Sequence, residues 1–125
     1  MDFMRYDFFN ARCHCYCEPH PRYSPCACIY CGDAELNSFS SFDAFRDFWG
    51  NRWRSVGCIQ IPHHGSIENY NVELNDQPRL SIIFAGVTNT YRHPNADVLK
   101  QILKNDGHVI WINEKQKSKV YIYIR

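Results

Sequence analysis

Two adjacent imidazoles, His63 and His64, stand in the run Pro62-His63-His64-Gly65-Ser66, directly after the apolar stretch Val56-Gly57-Cys58-Ile59-Gln60-Ile61. That stretch reads as a strand buried on at least one face. A strand ending in histidine fixes a general base or metal ligand on a rigid element, while the loop beyond leaves the ring open to solvent. Paired histidines in a turn can equally be solvated or bonded to backbone, so their neighbours decide. Gly32-Asp33 closes another apolar run, and its carboxylate could meet a cation or simply accept from nearby amides in a turn. Arg92-His93 lies in a third loop, able to contact an anion or to serve as the polar lead-in to a capped helix.

The elements that must position these groups follow from punctuation and periodicity. Cys13 to Cys17 and Cys26 to Cys31 are short runs separated by Pro19, Pro21 and Pro25, which exclude a helix and leave two strands joined by a Pro-rich turn. Phe42, Phe45, Phe48, Trp49 and Trp53 recur at helical spacing and predict an amphipathic helix over 41–52 whose aromatic stripe meets the core. Leu80-Ser81-Ile82-Ile83-Phe84-Ala85 is a second strand-like run after Pro78, and 86–94 is a loop. Asn95 then caps a helix that carries Val98, Leu99, Ile102 and Leu103 on one face and stops at Gly107. The segments 108–113 and 119–124, joined by a charged turn, predict a terminal hairpin. Alternating strands, loops and helices imply a layered α/β arrangement, in which the loops after the strands gather on one edge. Asp33, His63, His64 and Arg92-His93 all fall in such loops.

With 125 residues the chain has the length of one domain, able to bury about two-thirds of its unfolded surface. Its 45% hydrophobic and 22% charged residues fit a globular class and exclude a wholly disordered one. A net charge of +1 excludes strong overall steering to nucleic acid or anionic lipid, so a nucleic-acid role needs a local patch. No run approaches the roughly 20 apolar residues that cross a bilayer, and the first residues lack a signal-peptide layout. The expectation is a cytoplasmic protein without membrane partners.

Seven cysteines, an odd number without a secretion signal, read as reduced thiols or metal ligands. Cys13, Cys15, Cys17, Cys26, Cys28 and Cys31 could hold a structural zinc, and Cys28-Ile29-Tyr30-Cys31 has the spacing of half such a site. The other arm is Cys-x-Cys, and strand cysteines also serve as small apolar residues.

The order Tyr30-Cys31-Gly32-Asp33-Ala34-Glu35, then Ile59-Gln60-Ile61-Pro62-His63-His64-Gly65-Ser66, then Tyr91-Arg92-His93-Pro94 before a helix, resembles the C-terminal half of metallo-β-lactamase-fold hydrolases. The branch most similar is the hydrolase domain of DNA-uptake (competence) proteins, and the resemblance covers residues 26–125, with 1–25 a separate Cys- and Pro-rich segment. It implies a partial αββα sandwich, a mixed sheet with flanking helices. It also implies two Zn²⁺ ions, with Asp33 as the bridging carboxylate and His64, or else His63, as a metal ligand. The remaining imidazole would face the substrate or leaving group, giving Asp33 and His63 catalytic roles, with Ser66, Arg92 and His93 near a phosphodiester that could belong to nucleic acid. Two metals bridged about 3.5–4 Å apart acidify a water and clamp both oxygens of an in-line displacement.

The chain also departs from that pattern. The family's His-x-His/Asp-x-Asp-His signature is missing, and the only imidazoles upstream are His14 and His20. A catalytic zinc takes three protein ligands and an open position, whereas Asp33 and His64 make two. The expectation is a half-domain completed by a chain carrying the missing signature or by a homo-oligomer. The alternatives are a non-catalytic truncated interaction module and a small zinc-binding domain built on the cysteines.

Overall fold

The structure is a computed structural model that describes residues 4–7, 27–115 and 120–123. The apolar runs become strands of one sheet: β2 (Ala27–Tyr30), β3 (Val56–Gln60), β4 (Leu80–Phe84) and β5 (His108–Ile112), in that order and parallel throughout. β3 is buried along its whole length and β4 along all but its last residue, the condition under which parallel strands read as continuous apolar runs rather than alternating ones. The expected mixed sheet is thus, among these four strands, a parallel one.

The expected terminal hairpin is corrected in the same way. β6 (Val120–Tyr123) pairs not with β5 but in parallel with β1 (Met4–Asp7), Met4 opposite Val120. Nearness in sequence favoured a hairpin, but β5 is the end strand of the four-stranded sheet, paired with β4 from Leu80 opposite His108 to Phe84 opposite Ile112, while β6 belongs to a separate two-stranded sheet.

Helix α1 (Phe39–Trp49) begins at Ser38, whose hydroxyl accepts the Ser41 amide at 3.1 Å. The chain tightens into a 3-10 turn over Gly50–Ser55, so the helix ends earlier than its aromatic spacing predicts. The stripe divides: Phe42 and Trp53 are buried and meet edge to face at 5.9 Å, whereas Phe48 is 80% exposed. Helix α2 (Ala96–Lys104) is capped by Asn95, whose side chain accepts from the Asp97 amide at 2.8 Å, and it buries Val98 and Ile102 one turn apart. It stops where Asp106 takes a left-handed φ of 56°. Gly107 matters through space, since a Cβ there would lie 2.8 Å from the Ile102 carbonyl oxygen.

The main core joins Ile29, Ile59, Ile61 and Ile83 to Phe42, Trp53, Tyr70, Leu74, Val98 and Ile102. Arg79, 2% exposed, lies 4.2 Å over the Trp53 ring and donates to the carbonyls of Val56 and Leu74 and to the Asp76 carboxylate. A second cluster comprises Cys58, Leu80 and Ile82 with Cys28, Ile110 and Ile112. Among the described residues no helix is long and apolar enough to cross a membrane.

Candidate functional site

Parallel pairing sends β2, β3, β4 and β5 out at one edge, so the turns after them become neighbours. The first two are stitched together. The His63 amide donates to the Gly32 carbonyl at 2.9 Å, while Gln60, at the end of β3, accepts from the Gly32 amide through Oε1 at 2.8 Å. The Gly-Asp turn and the histidine turn therefore share one ledge.

Pro62 sets up a short 3-10 turn over His63–Gly65 in which both histidines carry positive φ, 45° and 57°. Left-handed backbone at a non-glycine residue costs about 1–2 kcal/mol and persists where the surroundings hold it. The surroundings here are tight: at Gly65, with φ 81°, a Cβ would come within 2.8 Å of the Pro94 Cβ, and the Gly65 carbonyl accepts the Asn95 amide at 3.0 Å. The start of helix α2 and the loop that leads into it are thereby docked on the histidine turn.

His64 Nδ1 lies 2.6 Å from the Phe84 carbonyl oxygen. A carbonyl only accepts, so the Nδ1 carries the proton and the Nε2 lone pair is left available. His93 is held through its backbone: Asn89 accepts the His93 amide at 2.8 Å and donates to the His93 carbonyl at 2.8 Å and to that of Gly86. The His93 ring stands 6.0 Å from that of His63 and is stacked on Tyr91 at 6.1 Å and 13°. Its Nδ1 is buried with no hydrogen-bond partner. Burial holds the His93 imidazole below the usual histidine value, and the neighbouring His63 and His64 press the same way while Glu68 opposes. The ring is therefore a neutral base at neutral pH.

The imidazoles of His63, His64 and His93, with Tyr91, Asn89, Ala85 and Gly86, line a pocket of about 360 Å³. Its loop is secured from the fourth turn, where the Glu114 carboxylate accepts from the amides of Val87 and Thr88 and from the Thr88 hydroxyl. The Glu114 carboxyl is held below the usual glutamate value first by its own backbone amide and then by these bonds from Val87 and Thr88.

The other residues singled out from the sequence lie beside this pocket rather than in its lining. Asp33 is exposed, one residue beyond the Gly32 that bonds His63. Ser66 is 6% exposed and its hydroxyl accepts from the Glu68 amide at 3.3 Å. Arg92 is exposed, with φ 58°. Among the described residues no three His, Cys, Asp or Glu side chains are grouped to hold a metal ion, so the donors present here do not by themselves fit a zinc centre. Cys13, Cys15, Cys17 and Cys26 lie outside the described residues, and Cys28 and Cys31, both free thiols, belong to different apolar clusters.

Sequence reasoning missed the supports. Asn89 stands in the same loop as His93, where asparagine readily bonds nearby backbone, and that was a usable signal for a loop anchor though not for its partner four residues on. Glu114 lies 26 and 27 residues from the amides it binds, and nothing local announces it. Comparison with family models, with curated proteins and with solved structures gives no match.

Proposed function

We propose that this chain supplies one half of a metal-dependent hydrolase centre of the metallo-β-lactamase type, acting on phosphodiesters, nucleic acid among them, and that a second polypeptide bearing the missing His-x-His/Asp-x-Asp-His ligands completes it. The observation that carries this reading is the gathering of His63, His64 and His93 around one pocket at the carboxyl edge of a parallel sheet, on the ledge shared with the Gly32-Asp33 turn. The order of strands, helices and loops supports the finer assignment to the C-terminal half of an αββα sandwich, and the free thiols Cys28, Cys31 and Cys58 favour a reducing compartment such as the cytoplasm.

The chain's own residues have definable tasks. His64, its Nδ1 committed to the Phe84 carbonyl, presents Nε2 as a ligand or base. His93, neutral at working pH, accepts a proton next to His63. Tyr91, 80% exposed and stacked on His93, offers a face for an apolar or aromatic part of the substrate.

The test is hydrolysis of bis(p-nitrophenyl) phosphate together with zinc content, for the chain alone and mixed with a polypeptide carrying the missing signature. Turnover should appear only in the mixture and vanish with His64→Ala or Asp33→Ala. A mixture that binds no zinc and hydrolyses nothing would overturn the reading.

A further inference from the structure

Cys28 and Cys58 occupy directly opposed positions on the adjacent parallel strands β2 and β3. Their side chains therefore stand side by side on one face of the sheet. Both belong to the second apolar cluster, with Leu80 and Ile82, where Cys58 is fully buried and Cys28 is half-buried. Neighbouring strands run about 4.8 Å apart, within the Cα separation of about 4.4–6.8 Å that a disulfide spans. A register irregularity between Ala27 and Cys28 locally disrupts the ladder next to the pair. Cys31 is the obvious competitor by sequence, since Cys28-Ile29-Tyr30-Cys31 is a Cys-x-x-Cys run. It is buried in the main core, on the side that packs the helices, while Cys28 packs with the other cluster.

We propose that Cys28 and Cys58 form a redox-active dithiol, closed to a cross-strand disulfide by low-molecular-weight disulfides and reopened by thiols. The half-exposed Cys28 is the attacking sulfur. The neighbouring Cys58 thiol holds the Cys28 thiol below its ordinary value, with burial opposing, and so favours the Cys28 thiolate, the nucleophilic form. Cys28 thiolate attacks one sulfur of the external disulfide, giving a mixed disulfide and releasing one thiolate. That thiolate takes the Cys58 proton, and the Cys58 sulfur then attacks Cys28 and expels the second thiolate, which is protonated from solvent. Two protein thiols are oxidised to one disulfide and one external disulfide is reduced to two thiols. The partly exposed Cys28 sulfur leaves that cross-strand bond open to attack by an external thiol, which runs the exchange in reverse. The strands so joined are the two that lead into the turns of Asp33 and His63, each five residues past its cysteine.

The experiment treats the full chain with oxidised glutathione, blocks remaining thiols with iodoacetamide, and maps linked peptides by tryptic digestion and tandem mass spectrometry. Expected are a Cys28–Cys58 link, its disappearance after dithiothreitol, its absence in Cys28→Ser and its persistence in Cys31→Ser. The wild-type map needs no variant, so the outcome does not depend on whether a serine is tolerated in the core. A wild-type map without this link while other cysteines in the chain have reacted overturns the proposal, as does a Cys58 link of the same yield in Cys28→Ser.

Discussion

The Nδ1 of His64 donates to the carbonyl oxygen of Phe84 across 2.6 Å, so the turn that follows β3 is pinned to the last residue of β4. The same bond decides which imidazole nitrogen faces outward, because a protonated Nδ1 leaves Nε2 as the acceptor. Structure and chemistry thus meet in one side chain, and they can be separated by substitution.

His64→Ala loses the anchor and keeps an unfavourable φ of 57°, and it should lower stability by about 1 kcal/mol. His64→Gly loses the same anchor but sheds a left-handed penalty of about 1 kcal/mol, and should be the more stable of the two. His64→Asn, tolerant of left-handed backbone and able to donate from its amide, should stay closest to wild type. Urea denaturation midpoints rank the three. Alanine as stable as asparagine would mean that the Phe84 bond contributes nothing.

Asn89 holds His93 by its main chain, with two bonds of 2.8 Å to the amide and the carbonyl. Asn89→Ala orphans both groups and should cost about 2 kcal/mol. Asn89→Asp keeps an acceptor for the His93 amide but sets a carboxylate against the carbonyls of Gly86 and His93, so it should be no better than alanine. Chemical denaturation of the two variants settles the order, and the dispersion of the His93 ring resonances shows whether the loop has let go.

What could be read from the sequence is what is encoded locally. β3 and β4 were legible because strands buried on both faces need unbroken apolar runs, and Pro62 and Pro78 bound them. Asn95 was legible as a cap because its side chain meets an amide two residues on. The partner of β6 was not, since whether it pairs with β5 or β1 depends on what else competes for those edges. Nor was the outward turn of Phe48, because five aromatics on one short helix exceed what a single contact face can bury, and their spacing alone does not say which is left out. In the site, the histidines stood out by type, whereas Glu114 and the Phe84 carbonyl act through proximity that only the folded chain creates.

Glu114 ties the loop after β4 to the turn after β5 through bonds to the Val87 and Thr88 amides. Its carboxyl lies below the ordinary glutamate value of 4.5, chiefly through backbone hydrogen bonds, so the folded state favours the ionised form. Unfolding restores the ordinary value and takes up protons. The contribution is therefore complete above the unfolded value and is lost as pH falls through the lower folded one. The stability difference between wild type and Glu114→Gln should be flat from neutral pH down to about 5 and shrink below that. Denaturation series at stepped pH measure it, and a difference that holds constant down to the acid limit would show that the charge of Glu114 does not matter.

His93 owes its lowered value first to burial and then to His63 and His64, which makes it a probe of the whole imidazole cluster. Its proton binds more weakly in the folded chain than in the unfolded one. The associated stability is complete above the ordinary histidine value of 6.5 and drains away as pH falls through the folded value. In an NMR titration the His93 ring proton should show a midpoint below 6.5. His63→Asn, which suits the left-handed backbone there and removes a neighbouring charge, should move that midpoint upward without restoring it fully, because burial is the larger cause. Full recovery in His63→Asn would make the His63 ring the main cause and shrink the part assigned to burial. No movement at all would mean that the two rings, 6.0 Å apart by their centroids, do not sense each other's charge, and the cluster would lose its claim to act as one site.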